Sequence, residues 1–333
     1  MKSPNRLSIV GGGSWGTALA LALSCRYDSI GLWVHAADLA QYMKCRRENP
    51  VYLPGFSLPP NIEPTPELAE ALEGSELVLT VVPSHHCRAV AEAMKPWLDV
   101  SRITVVSATK GLEINTLKRM SEVLQEVLQS TRLGSLSGPS FARDVARGEP
   151  VALAAAAVDP SLAQHIQLAL STQTLRIYTN SDPVGVELGG ALKNVIAIAA
   201  GLCQGLGLGA SALAALVTRG LAEMTRLAVA LGAQPSTLSG LAGLGDLVLT
   251  CTGDLSRNRQ VGIELARGRS VAEIVAGMRM VAEGVQTTRA ALQLARQCGV
   301  EMPITEQVGA IIQGERSPQE ALRQLMDRSL KEE

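Results

Sequence analysis

Lys193 is the residue of this chain best suited to move a proton. It lies in Glu187-Leu188-Gly189-Gly190-Ala191-Leu192-Lys193-Asn194-Val195-Ile196-Ala197. A helical reading sets Gly189, Gly190, Ile196 and Ala197 around it. Small and apolar neighbours desolvate an amine, which disfavours the ammonium and lowers its pKa toward neutrality, where acid–base chemistry runs best. The same spacing also fits a lysine whose stem lies on apolar neighbours while its head reaches water. Asp246 stands alone in the apolar run Gly243-Leu244-Gly245-Asp246-Leu247. Such a carboxylate needs a cationic partner, and Lys193 is a candidate. Ser256-Arg257-Asn258-Arg259 follows a Thr250–Asp254 loop. It offers a guanidinium fork flanked by short neutral donors, which matches a phosphate, although it reads equally as a charged helix start. Cys251 has no histidine near it in sequence and reads as an inert thiol.

The second constellation is Gly11-Gly12-Gly13-Ser14-Trp15-Gly16, preceded by apolar Leu7–Val10 and followed by the helix former Thr17–Leu23. A strand, then G-x-G-x-x-G, then a helix is the setting of a dinucleotide fingerprint. Gly11 serves the tight turn, Gly13 the approach of a pyrophosphate, and Gly16 the packing of helix on strand. The helix N-terminus then faces the phosphates. His35 falls where such a chain usually carries the acid that holds the ribose 2′-OH. A neutral residue there tilts the reading toward NADP(H), with Arg46 and Arg47 as the nearest basic candidates for a 2′-phosphate.

The elements that must position these groups alternate through the first half. Strands are expected at 8–10, 30–34, 77–82, 103–107, 133–137, 151–157 and 175–178, with helical stretches such as 66–73, 87–94 and 117–128 between them. Alternation of this kind gives a mostly parallel, doubly wound sheet. Its ligands sit at the carboxyl ends of the strands, which picks out His35, Val82–His86, Ala108–Gly111 and Gly138–Ala142. Lys110 lies in one of these loops. Gly138-Pro139-Ser140 either receives an anion or only caps a helix with Ser140. At Asn180-Ser181-Asp182-Pro183 the pattern changes to helices, about 184–204, 210–232, 256–267, 285–298, 303–313 and 317–327. The division expected is therefore an α/β dinucleotide-binding domain over 1–181 and an all-α substrate domain over 182–333.

Bulk properties narrow the function. A formal net charge of -1 and 3% aromatic residues argue against nucleic-acid or anionic-membrane surfaces. Six cysteines without C-x-x-C spacing suggest a reduced, cytoplasmic protein, and four histidines without a ligand pattern suggest no metal. Met1–Arg6 leaves no room for a signal peptide, and the apolar run Val195–Cys203 is too short to span a bilayer.

Taken in order, GGGSWGTALA, VVPSH, ATKGLE, SGPSFA, VGVELGGALKNVIAIAAG, TRGLAEM, LAGLGDLVLTCTGDLSRNR, VAEG and GVEMPIT resemble the bacterial NAD(P)-dependent glycerol-3-phosphate dehydrogenases from about Leu7 to the last helix. The resemblance implies a Rossmann domain, a helical domain like the C-terminal one of 6-phosphogluconate dehydrogenase, and a homodimer. It implies hydride transfer between sn-glycerol 3-phosphate and dihydroxyacetone phosphate with NADP(H) or NAD(H), supplying phospholipid synthesis. It carries the proton acceptor onto Lys193. Substrate contacts fall on Lys110, Gly138, Ser140, Asp246, Ser256, Arg257 and Asn258. Cofactor contacts fall on Ser14, Trp15, His35, Lys110, Ala142, Arg257, Val281 and Glu283. Two rivals remain at this stage: a 3-hydroxyacid or 6-phosphogluconate type of dehydrogenase, and a non-catalytic NAD(P)H sensor.

Overall fold

The computed structural model describes residues 6–278 and 282–329, so Val281 lies outside the described residues. The first half runs β1 (Arg6–Val10), α1 (Ser14–Leu23), β2 (Ser29–Trp33), α2 (Ala37–Arg46), β3 (Glu48–Asn49), β4 (Leu53–Ser57), β5 (Ile62–Thr65), α3 (Leu68–Leu72) and β6 (Leu77–Thr80). It continues with α4 (Cys87–Met94), β7 (Thr104–Ser107), α5 (Met120–Leu128), β8 (Leu133–Ser137), α6 (Ala142–Ala146), β9 (Val151–Ala156), α7 (Pro160–Leu170) and β10 (Leu175–Asn180). Eight strands form one sheet in the order β10-β9-β8-β7-β6-β1-β2-β5. All neighbours are parallel except β8 and β9, so the last two strands run against the other six.

Both faces of the sheet are covered, as its strings of buried apolar residues require. Leu19 and Leu23 of α1, Met43 of α2 and Ile166 of α7 pack on one face with Ile9 and Leu79. Leu72 of α3, Met94 of α4 and Met120 of α5 pack on the other with Val78 and Val105. The strands expected from sequence are present, and three more join them. The short β3–β4 hairpin is pinned to the glycine turn, because the Asn49 Nδ2 amide donates to the Gly12 carbonyl and to Thr17 Oγ1, each at 2.9 Å. Strand β5 holds the outer edge beside β2. Its Pro64 masks the strand in the sequence and is tolerated because the strand is an edge. The 117–128 stretch becomes helical only at Met120.

The second half is helical: α8 (Pro183–Gly205), α9 (Ala210–Ala230), α10 (Pro235–Leu238), a π-turn (Leu241–Gly245), α11 (Asp246–Thr252), α12 (Arg257–Ala266), α13 (Val271–Ala276), α14 (Glu283–Cys298), α15 (Pro303–Ile312) and α16 (Pro318–Met326). Asp182 caps α8 by accepting from the Gly185 amide at 2.8 Å, and Pro183 occupies the first turn. Helix α8 is the axis of this half. Contrary to the expectation from the short 195–203 run, it is long and apolar enough to cross a membrane by length and composition. Its place is nevertheless the protein core, since 94% of its most apolar window is buried by the surrounding helices.

The two halves share one core at their seam. Leu112 and Leu117, from the loop that follows β7, are buried among Leu188, Ala191, Val195 and their neighbours in the helical half. Leu117 holds a left-handed backbone, φ 61°, to reach that position. Across the same seam the Glu187 carboxylate of α8 accepts from Arg119 at 2.6 Å, from the Ser121 amide at 2.8 Å and from the Ser121 hydroxyl at 2.6 Å. Those contacts satisfy the start of α5.

Candidate active site

The glycine turn is built to face an anion. Gly13 precedes α1 with no side-chain cap on the helix start, so the first amides are left without a side-chain acceptor. A Cβ on Gly13 would meet nothing within 4 Å, whereas one on Gly16 would lie 1.9 Å from the Gly11 carbonyl. The loop is therefore tight where helix meets strand and open where a pyrophosphate would rest. Trp15 and Ala142 pack on the same cluster of Ala18, Leu53 and Val145, and the buried Trp15 indole Nε1 has no hydrogen-bond partner among the described residues. The residues fit a dinucleotide on these counts.

Two lysines from different halves converge on one carboxylate. Asp246, 1% exposed, accepts from Lys193 through Oδ1 and from Lys110 through Oδ2, the latter at 2.8 Å. The close approach of α8 to the π-turn makes this possible: a Cβ on Gly189 would stand 2.5 Å from the Ala242 carbonyl. The π-turn ends at Gly245, so Asp246 opens α11 facing Lys193. Lys193 also donates to Thr250 Oγ1 at 2.8 Å, and Thr250 donates back to the Asp246 carbonyl at 2.6 Å. The Lys193 amine is buried rather than reaching water. Burial pulls its pKa down to about 7 against the attraction of Asp246, and the neighbouring Lys110 pulls the same way as burial. Cys251 is buried, which pushes its thiol up to about 12 and leaves it unreactive.

Lys110 ties this centre to the carboxyl edge of the sheet. It donates to the Gly138 carbonyl at 2.8 Å and reaches Ser140 Oγ at 3.4 Å. Ser140 is not a helix cap, because Phe141 holds that position before the five-residue α6; its hydroxyl donates to Gly138 at 3.0 Å instead. The Thr250–Asp254 loop expected from sequence is mostly helix, since α11 runs to Thr252.

The remaining sequence candidates divide. Ser256 is the N-cap of α12 and accepts from the Arg259 amide at 3.2 Å. Arg257 is exposed in the first turn of that helix, near enough to Glu283 for their charges to interact. Asn258 is buried: its Nδ2 donates to Asn194 Oδ1 at 2.8 Å and its Oδ1 accepts from the Gly284 amide at 2.9 Å. One Asn258 N–H is left beyond these bonds. Asn194 Nδ2 in turn donates to the Lys110 carbonyl at 3.3 Å. Glu283, at the start of α14, accepts from the Ser84 amide at 2.9 Å and the Ser84 hydroxyl at 2.6 Å. His35 is exposed after β2. Sequence reasoning missed Ser84, Asn194 and Thr250, although Ser84 stands in a loop at the carboxyl edge and Thr250 lies one helical turn after Asp246.

A glycine turn at the carboxyl edge of a doubly wound sheet, with a desolvated lysine from a helical half tied to the same edge through Asp246 and Lys110, defines a nucleotide-dependent dehydrogenase. Residues 6–163 match the NAD-dependent glycerol-3-phosphate dehydrogenase N-terminus and residues 182–323 the corresponding C-terminus. The chain is 53% identical over 329 residues to a glycerol-3-phosphate dehydrogenase [NAD(P)+] of Koribacter versatilis, covering 97% of each. It is 53% identical over 331 residues to one of Citrifermentans bemidjiense, covering 98% of each. The crystal structure of glycerol-3-phosphate dehydrogenase from Coxiella burnetii superimposes with a TM-score of 0.93 at 39% identity, covering 98% of this chain and 99% of that one. The chain belongs to the NAD-dependent glycerol-3-phosphate dehydrogenase family.

Proposed function

We propose that Lys193 is the proton-transfer group of a dehydrogenase that interconverts sn-glycerol 3-phosphate and dihydroxyacetone phosphate with NAD(P). The observation that carries this reading is the buried grip of Lys193 and Lys110 on the two oxygens of Asp246. When bound, the nicotinamide accepts or supplies the hydride at C2. An ammonium has three N–H groups. Lys193 directs two of them at Asp246 and Thr250, which leaves one direction for the substrate oxygen. In the oxidative direction the neutral amine takes the C2 hydroxyl proton. In the reductive direction the ammonium polarises the ketone and returns the proton. Lys110 adds positive charge beside a developing alkoxide. Gly138 and Ser140 hold Lys110, and Asp246 holds both amines. Arg257, Ser256 and the free Asn258 N–H, at the start of α12, suit the substrate phosphate. Ser14, Trp15, Ala142, His35 and Glu283 would hold the dinucleotide, as the family resemblance implies, and Val281 rests on that resemblance alone.

The domain division falls between Asn180, where β10 ends, and Pro183, where α8 starts. The family resemblance supports a cytoplasmic homodimer serving phospholipid synthesis, which light scattering of the purified protein and complementation of a glycerol 3-phosphate auxotroph would check.

The test of the catalytic assignment is the consumption of NADPH or NADH with dihydroxyacetone phosphate, followed at 340 nm. Lys193→Ala should lower kcat about 10²–10⁴-fold while NADPH still binds. Turnover within a few-fold of the parent would remove Lys193 from the acid–base role. Selective turnover of a 3-hydroxyacid or of 6-phosphogluconate would move the substrate assignment to a carboxylate.

A further inference from the structure

Ser84 opens the turn that follows β6, at the carboxyl edge of the sheet, and is 2% exposed. Both of its donors go to one carboxylate of the helical half, 199 residues away. The Ser84 amide meets Glu283 Oε1 at 2.9 Å, and the hydroxyl meets Oε2 at 2.6 Å. Hydrogen bonds to an ionised carboxylate are shorter and about twice as strong as neutral ones. The Lys110 loop closes on this clasp from the side. A Cβ on Gly111 would stand 2.6 Å from Ser84 Cβ and 2.9 Å from Glu283 Oε2, so nothing larger than glycine fits there unless the clasp shifts.

From Glu283 the contacts run on to the start of α12. The next residue, Gly284, donates its amide to Asn258 Oδ1 at 2.9 Å. A Cβ on Gly284 would lie 2.6 Å from the Asn194 carbonyl, so α14 starts hard against α8. Asn258 reaches back through Asn194 to the Lys110 carbonyl. The contacts thus form a ring that leaves Lys110 through Asn194 and Asn258 and returns through Glu283 and Ser84 to Gly111. Arg257 precedes Asn258 on this ring and feels the charge of Glu283. Such a ring fixes the start of α12 relative to Lys110, and opening one link lets that start drift. A displacement of about 1 Å in a group that positions substrate can cost about 10²-fold in rate.

We propose that Ser84 is a positioning residue for the substrate phosphate: by holding Glu283 it sets the distance from the start of α12 to Lys110. It acts through Glu283 and α14 and not by contact with the substrate. This rests on the reading of Arg257 and Asn258 as the phosphate anchor.

The test is kcat/KM for dihydroxyacetone phosphate and for unphosphorylated dihydroxyacetone in the parent, Ser84→Ala, Glu283→Gln and the double variant. Ser84→Ala keeps the bond from the Ser84 amide and loses the one from its hydroxyl. It should lower kcat/KM for the phosphorylated substrate about tenfold, the worth of one hydrogen bond to a charged group, and that for the unphosphorylated substrate less than about twofold. Glu283→Gln should lower the ratio of the two values in the parent and add little in Ser84→Ala, because both variants open the same link. An equal fall for both substrates means a loss of active protein and overturns the proposal. Fully additive effects in the double variant overturn it too. So does an unchanged ratio in Ser84→Ala while Arg257→Lys lowers it, whether or not the NADPH Kd rises. A ratio that Arg257→Lys also leaves unchanged overturns instead the phosphate reading of α12 on which the proposal stands.

Discussion

Asp246→Asn removes the one negative charge shared by two ammonium groups. The Lys110–Asp246 pair alone, at 2.8 Å, represents about 6 kcal/mol of Coulomb attraction at an effective dielectric constant of about 20. Much of this is offset by desolvation, and breaking a buried pair by removing one partner destabilises proteins by about 3–5 kcal/mol. The amide also presents an N–H to one of the two amines, donor against donor. The uncompensated charge is relieved most readily by the loss of the Lys193 proton, because Lys193 is the more buried of the two. Asp246 is the strongest influence holding that pKa up to about 7. In the parent the rate of glycerol 3-phosphate oxidation should therefore rise with pH through about 7, as Lys193 becomes a free base. The rate of ketone reduction should fall through the same region. In Asp246→Asn both midpoints should move to lower pH, with kcat reduced at least about 10²-fold at neutrality. The assay is kcat against pH in both directions, with urea unfolding as a check on the fold. A variant with its midpoint unmoved would refute the idea that Asp246 sets the protonation of Lys193.

Gly13→Val should leave the fold intact, since a Cβ there meets nothing within 4 Å, yet weaken NADPH binding at least about tenfold in a fluorescence titration; equal affinity would take the pyrophosphate away from this turn. Arg257→Lys keeps the charge but loses the guanidinium fork. It should lower kcat/KM for dihydroxyacetone phosphate by about 1–3 kcal/mol of binding energy and leave unphosphorylated dihydroxyacetone nearly unaffected; an unchanged ratio between the two substrates would place the phosphate elsewhere. Glu187→Gln keeps one acceptor oxygen for the Ser121 amide but breaks the pair with Arg119, so urea unfolding should show a loss of about 2–3 kcal/mol; an unmoved midpoint would mean that this seam adds nothing to stability.

The features legible in the sequence were those written in local patterns. The run Gly11–Gly16 carries its own context, whereas the small residues around Lys193 fitted a buried amine and a snorkelling one equally, and the structure shows the buried one. The strands of the parallel sheet are continuous apolar runs, so they stood out, whereas β5 hides behind Pro64. Helix α7 carries Asp159 as a cap and Pro160 in its first turn, a local signal that the reading of the sequence passed over. The convergence of Lys193, Lys110 and Asp246 spans 136 residues, yet the need of Asp246 for a cation already suggested half of it. The bridges from Asn194 to Asn258 and from Ser84 to Glu283 were not legible. An amide or a hydroxyl fits almost any surface position, and only the tertiary arrangement decides which partner it meets. The same limit hid the engagement of Arg47 with the carbonyls of Leu58, Pro59 and Ile62, which removed it from the candidates for a 2′-phosphate.

The leucines that cross the seam bear on how this chain comes apart. Leu112 and Leu117 are covalently part of the sheet half but solvated only when the helical core opens. Severing the chain near Ser181 would therefore expose a hydrophobic socket on one fragment and an apolar plug, held by a left-handed leucine, on the other. Neither fragment should behave as an autonomous folding unit, and calorimetry of the intact chain should show a single endotherm instead of two. The same plug fixes the loop that carries Lys110, so the geometry around Asp246 persists for as long as the helical core remains closed.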